Sequence, residues 1–85
     1  MEDYGDAAFF FHTADGTRDR DDVGTELPDL RAARVAAVRY AGDVLSENPA
    51  ILWDGRDFSV EVTDTNNVAL FTVTARATDA RATDD

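Results

Sequence analysis

The side chains that could carry chemistry are a single histidine and the carboxylates that follow it. His12 is the only histidine, and five carboxylates lie within the next fourteen positions, at Asp15, Asp19, Asp21, Asp22 and Glu26. Zinc sites draw their ligands from histidine, cysteine and carboxylate groups, and this chain has no cysteine and no second histidine. We therefore predict that His12 packs and hydrogen-bonds locally at the end of a strand, and we expect no bound metal.

The acidic run lacks the spacing of a calcium loop. Such a loop places glycine at its sixth position, whereas Gly16 follows Asp15 directly. Acid–base catalysis would need a carboxyl in an apolar pocket that raises its pKa, and the sequence indicates no such pocket. The run is predicted to be a solvated loop. A small metal-binding protein or enzyme at His12 and this loop stays open as an alternative, which requires a cleft joining them.

Nucleophile and phosphate-binding motifs are missing from the sequence. Ser46 and Ser59 do not lie in a G-x-S-x-G setting, and the five glycines are too scattered for a phosphate-binding loop. We expect no enzymatic activity and no cofactor.

The candidate binding residues are arginines and one tryptophan. Arg31, Arg34 and Arg39 could bind an anion or RNA, but with 18 acidic residues available we expect them to pair within the chain. Arg39 and Asp43 have the spacing of a helical ion pair. Trp53 would be an interface anchor if exposed, but we expect it in the core because large side chains are few.

The charge distribution indicates which classes of partner are unfavourable. The net charge is −10, and residues 1–27 hold eight carboxylates against two arginines. This field repels phosphate backbones and anionic membranes, so we expect neither as a partner. A nucleic-acid binder acting through the three helix arginines stays open as an alternative, provided that these are exposed and unpaired.

The hydrophobic pattern predicts strand, strand, helix, strand, strand. The first strand covers Ala7 to Thr13, and Thr17 to Asp22 returns as a short charged strand. A helix from Leu30 to Glu47, capped by Asp29, has an alanine-rich apolar stripe, with arginines and Val35 on its other side. Residues 58–63 and 68–75 form a terminal hairpin in which Asn67 takes a left-handed conformation. The fold class is α+β, an antiparallel sheet with one helix on one face.

The length of 85 residues suits one domain with a small core. We assign residues 1–75 to that domain, including an acidic leader, and expect a disordered tail over 76–85, which has no large apolar residue. The acidic start is unlike a signal peptide, and no apolar run would cross a membrane. Together with the lack of cysteine, these features indicate a cytoplasmic protein.

Several short motifs resemble a family of bacterial proteins. The motifs are Phe10-Phe11-His12, Asp15-Gly16, the run Gly24-Thr25-Glu26-Leu27-Pro28-Asp29-Leu30 followed by Ala33-Arg34, Trp53-x-Gly55 and Val62-x-Asp64. Over residues 9–73 this pattern is similar to a large uncharacterised family of short alphaproteobacterial proteins. The resemblance implies an architecture and no reaction. At the level of fold, the strand pair leading into a helix is also similar to HicB-type antitoxin domains.

The aromatic first strand suggests a protein partner. One helix can cover one sheet face, whereas Phe9 and Phe11 alternate with Phe10, so an apolar face is expected to be left over. We predict a small protein-interaction or regulatory module, antitoxin-like in the sense of that resemblance, with a protein partner or homodimer on the face opposite the helix. The candidate residues for an interaction surface, should any of them be exposed and unpaired, are Phe9, Phe11, Trp53, Leu70, Arg31, Arg34 and Arg39.

Overall fold

The computed structural model describes residues 7–80. The acidic leader (residues 1–6) and the last five residues of the predicted tail lie outside the described residues. Within the described range the fold is α+β, as predicted. Its elements are β1 (Ala7–Ala14), β2 (Arg18–Asp19), β3 (Thr25–Leu27), α1 (Leu30–Glu47), α2 (Ala50–Trp53), β4 (Phe58–Thr63) and β5 (Ala69–Ala75).

The sheet is antiparallel at every pairing, in the order β2-β1-β4-β5. The short strand β3 pairs with residues 7–9 of β1, and β2 pairs with residues 13 and 14. The hairpin between β4 and β5 turns as expected, because Asp64 caps the loop with its side chain and Asn67 has a φ of 64°. The three longer strands, β1, β4 and β5, match the predicted ones to within one residue at each end.

The helix α1 has the predicted boundaries. The Asp29 carboxylate accepts a 2.8 Å hydrogen bond from the Ala32 amide at its start, and the helix ends at Asn48. Ala33, Ala37 and Ala41 are buried against the sheet, so the small side chains allow the backbone of the helix to approach it closely. No helix among residues 7–80 is long and apolar enough to cross a membrane.

The core lies between α1 and one face of the sheet. It joins the alanines of the helix to buried side chains of β1, β4 and α2, namely Phe9, Phe58, Val60, Val62 and Ile51. Phe11, Phe71 and Val73 are partly buried against this cluster. The sheet face under the helix is therefore the apolar one.

Two short elements were not predicted, and one of them explains an error. The chain forms β3 beside β1, and Ala50–Trp53 forms the single helical turn α2. A single turn can bury only one side, and here Ile51 takes the buried position. Trp53 consequently points outward and is 66% exposed, so the expectation that it lies in the core is wrong.

The sheet face opposite the helix corrects a second expectation. Phe10 lies on this face but is half-buried, and its ring packs against the backbone of Gly24. The side chains that share this face with Phe10 in β1, β4 and β5 are mostly polar: His12, Ser59, Glu61, Thr72 and Thr74. Arg18 and Glu61 also form a 2.7 Å ion pair across it. Among residues 7–80, the uncovered aromatic face that we expected to bind a partner is therefore not present.

Candidate interaction surface

Both ring nitrogens of His12 form hydrogen bonds within the protein. Its side chain is 3% exposed, and Nδ1 accepts a 3.0 Å hydrogen bond from the backbone amide of Asp21. Nδ1 therefore carries no proton, and the N–H at Nε2 donates to Oγ1 of Thr63, also at 3.0 Å. The neutral imidazole is held on both sides. The geometry agrees with the local structural role predicted for this histidine.

Asp21 fills the gap that β2 and β3 leave along β1. Its carboxylate accepts hydrogen bonds from the amides of Phe11, Val23 and Gly24 at 3.0 to 3.1 Å. Burial acts to raise the pKa of Asp21, but the three amide hydrogen bonds together outweigh it, and the pKa is lowered. Asp21 is thus a structural anchor of the loop, contrary to the prediction that the whole acidic run is merely solvated.

A depression of about 270 Å³ does join His12 to the acidic loop. Both ring nitrogens of His12 and both carboxylate oxygens of Asp21 are already engaged in the hydrogen bonds given above. Within the part of the chain that the structure describes, no three histidine or acidic side chains lie close enough together to hold a metal ion. In this depression, His12 and Asp21 therefore already serve the hydrogen bonding of the fold.

The solvent-exposed face of α1 combines arginines with apolar side chains. Its residues follow helical spacings of three and four, which puts them on one side of the helix: Arg31, Arg34, Val35, Val38 and Arg39. Val35 is 52% exposed and Val38 is 61% exposed. We call these five residues the arginine–valine face. A shallow depression of about 480 Å³ lies among four of them.

The arginines of this face do not pair as expected. Among residues 7–80, ion pairs shorter than 4.0 Å involve Arg18, Arg56 and Arg76, and none involves an arginine of α1. Arg39 and Asp43 have the right spacing but form no pair. The helix has no acidic side chain between Leu30 and Gly42, so the nearest carboxylates in sequence lie at its two ends. Among residues 7–80, the intramolecular pairing that we predicted for these three arginines is not present.

The remaining predicted surface residues are dispersed. Phe9 is 6% exposed in the core and is not available to a partner. Phe11 is half-buried and packs edge-on against Tyr40, with ring centroids 6.5 Å apart. Leu70 and Trp53 are exposed but lie on β5 and α2, away from the outer face of the helix. Of the seven predicted residues, the three arginines are brought together and the others are not.

A cleft of about 470 Å³ lies between α1 and the β1 edge of the sheet. Its floor includes Phe11 and Thr13, and Ala36 and Tyr40 line it from the helix. The side chains of Asp19 and Asp21 line the same cleft as Arg20, so its charge is mixed. The arrangement does not select one class of ligand.

Sequence reasoning missed two residues that matter here. Only Val35 was assigned to the outer side of the helix with the arginines, yet Val38 is more exposed than Val35. Asp21 was one of several similar carboxylates, and its role depends on pairing with residues about ten positions away. For Val38 the signal was present, because it lies seven residues after Arg31 and therefore on the same side of a helix.

Comparison with curated proteins and with solved structures finds no match to this chain. A family model does match, and it covers residues 8–76, which include every strand and helix described above except the first residue of β1. The chain belongs to this family, which is described as a domain of unknown function (DUF6894).

Proposed function

We propose that the protein is a small non-enzymatic interaction module that binds a protein partner through the arginine–valine face of α1. One observation carries the proposal. The chain has 18 acidic residues and 8 arginines, yet the three arginines of this face have no carboxylate within ion-pairing distance among the described residues. They surround two exposed valines. Such a surface offers both apolar contact and unused hydrogen-bond donors.

The chemistry of the face defines the partner. Arginine is enriched at protein interfaces, where its planar guanidinium donates two parallel hydrogen bonds to a carboxylate. Val35 and Val38 would be covered by an apolar contact between these arginines. The partner is therefore expected to present aliphatic side chains flanked by aspartate or glutamate. Sequestering a toxin, as HicB-type antitoxins do, would be one form of this activity.

The absence of catalysis is part of the proposal. It is supported by the hydrogen bonds of His12 and Asp21, which already engage both ring nitrogens and both carboxylate oxygens in the fold. The neighbouring acidic side chains of the loop, Asp19 and Asp22, are exposed. Neither is buried in an apolar pocket, which is the setting that a carboxylic general acid needs.

A second candidate function, binding of RNA, uses the same arginines. It is favoured by their exposure and lack of ion pairs within residues 7–80. It is opposed by the net charge of −10, since a phosphate backbone would approach an acidic molecule. The five residues of the face also include no aromatic side chain on which a base could stack. We therefore favour a protein partner.

Affinity capture with matched baits tests the proposal. In one bait Arg31, Arg34 and Arg39 are changed to Gln, and in the control Arg20, Arg56 and Arg76 are changed to Gln, so both lose three positive charges. We expect the first change to weaken capture of a host protein at least tenfold, and the second to weaken it less than threefold. Equal losses would show that net charge alone controls binding. Retention of RNA, with loss of capture after ribonuclease, would support the second candidate.

A further inference from the structure

The two edges of the sheet differ in how they meet solvent. The edge beside β1 is occupied by the short strands β2 and β3, which include Arg18, Asp19 and Glu26, and Asp21 caps the gap between them. Short strands and charged side chains prevent an edge from pairing with another chain. This edge is therefore protected.

The opposite edge has none of these devices. β5 is seven residues long, pairs with β4 on one side, and has no other strand beside it among the described residues. It contains no charge and no proline, and from Leu70 to Ala75 its residues alternate between the two sheet faces. A register shift against β4, with Phe71 opposite Val62 and Ala69 opposite Thr63, makes Leu70 an extra residue near the start of the strand. From Phe71 to Ala75 the strand keeps one register with β4, and this part of the edge presents a regular row of free amide and carbonyl groups.

The distribution of charge indicates which molecule could pair with the free edge of β5. Residues 65–75 include no ionisable side chain, and this is the longest such stretch in the chain. Two molecules that each carry a net charge of −10 repel one another, so they can approach most readily across a neutral surface. These uncharged residues, 65–75, include all of β5, the strand with the free edge.

From these observations we propose that β5 pairs antiparallel with β5 of a second copy, forming a continuous sheet across a two-fold axis at Thr72. This proposal is independent of the arginine–valine face. In this register Phe71 lies opposite the partner's Val73 on the helix side, and Leu70 lies opposite the partner's Thr74 on the other side. Both positions gain a cross-strand neighbour of suitable size. A two-fold axis uses the same surface from both molecules, so a second complementary surface is not needed.

Single-cysteine variants test the register, since the natural chain has no cysteine. Antiparallel neighbours have Cβ atoms about 4.5 to 5.5 Å apart, which is close enough for a disulfide after small adjustments. We expect Thr72→Cys to form a homodisulfide at least ten times faster than Thr17→Cys, which is exposed in a turn. Leu70→Cys and Thr74→Cys should cross-link when mixed, and much less when each is alone. Equal rates at positions 72 and 17 would overturn the proposal.

Sedimentation equilibrium on charged variants gives an independent test. Thr72→Lys and Thr72→Glu both place like charges opposite each other, so each is expected to weaken the dimer at least tenfold, and salt is expected to tighten the natural dimer. Thr17→Lys and Thr17→Glu make the same charge changes elsewhere and should each alter the affinity less than threefold. Circular dichroism confirms that each variant folds. A strict monomer at 200 μM of natural protein in high salt would contradict the proposal, and so would matching effects at positions 72 and 17.

Discussion

The backbone amide of Asp21 donates a 3.0 Å hydrogen bond to Nδ1 of His12, and this contact joins the acidic loop to the centre of the sheet. It also sets the tautomer of the ring, because the proton must then lie on Nε2, which faces Thr63. The most reactive side-chain types in the chain are thus used to build the fold. On the exterior of α1, by contrast, three arginines have no ion pair among residues 7–80.

Replacing Thr63 by Val should destabilise the protein. The substitution removes the acceptor for the buried Nε2–H of His12, and a buried donor without a partner costs about 1 to 3 kcal/mol. Urea unfolding followed by circular dichroism measures the loss. Thr65→Val in the exposed hairpin loop is the control and should change the free energy of unfolding by less than about 0.5 kcal/mol. Equal effects of the two changes would show that the His12 contact contributes nothing.

The lowered pKa of Asp21 makes part of the stability depend on pH. A carboxyl whose pKa is lower in the folded state than in the unfolded chain contributes stability that is full above the ordinary aspartate pKa, about 3.9. That contribution is lost as the pH falls through the folded-state pKa. Between pH 5 and 2, Asp21→Asn should therefore lose less stability than the natural protein.

The matched control for this prediction is Asp22→Asn, which removes the same charge from an exposed neighbour. Its acid unfolding should follow that of the natural protein. If Asp21→Asn and Asp22→Asn unfold in parallel as the pH is lowered, the amide hydrogen bonds of Asp21 do not couple folding to its ionisation.

Substituting alanine for Gly24 and for Gly42 should change the stability of the protein in opposite directions. Gly24 has a φ of +80°, and a Cβ there would lie 2.8 Å from the Phe10 ring, so Gly24→Ala is expected to cost at least about 1 to 2 kcal/mol. Gly42 lies inside α1 with no atom within 4 Å of an added Cβ, so Gly42→Ala should stabilise the protein by about 0.5 to 1 kcal/mol. Thermal unfolding measures whether each substitution raises or lowers Tm. Destabilisation by Gly42→Ala would refute the open environment at that position.

The tail beyond β5 is predicted to be dispensable. Arg76 donates two hydrogen bonds to the Asp57 carboxylate at 2.8 and 3.0 Å, but both side chains are exposed, and such pairs stabilise little. Ending the chain after Arg76 or after Ala75 should shift Tm by only a few degrees. The hydrogen bond from Arg76 lowers the pKa of Asp57, so NMR titration should show that this pKa rises only in the shorter chain. A large drop in Tm would mean that the tail packs on the domain.

The parts of the fold that could be predicted are those with long local patterns. The eighteen-residue helix repeats its alanines at spacings of three and four, and β4 alternates apolar and polar side chains. By contrast, β3 has three residues and exists because β1 is beside it, while α2 is a single turn. Their formation depends on packing between distant segments, which a local pattern does not encode.

The candidate surface was predictable only in part. The spacing of Arg31, Arg34 and Val35 already placed them on one side of α1. Whether their charges are neutralised depends on carboxylates elsewhere in the chain. The abundance of these carboxylates favoured ion pairs that are not found among residues 7–80. Likewise, three adjacent phenylalanines indicated an apolar side chain on each sheet face. The ring of Phe10 is covered by Gly24, and this contact between distant segments cannot be predicted from a local pattern.

Site-specific cross-linking at the arginine–valine face tests the central claim most directly. Val35→Cys, labelled with a benzophenone maleimide in this cysteine-free chain, places a photoreactive group on the exposed side of α1; the same label at Thr17→Cys is the control. We predict a protein adduct at position 35, absent at position 17 and lost when the three helix arginines are changed to Gln. Labelling at position 35 no greater than at position 17, or adducts that ribonuclease removes, would contradict the account.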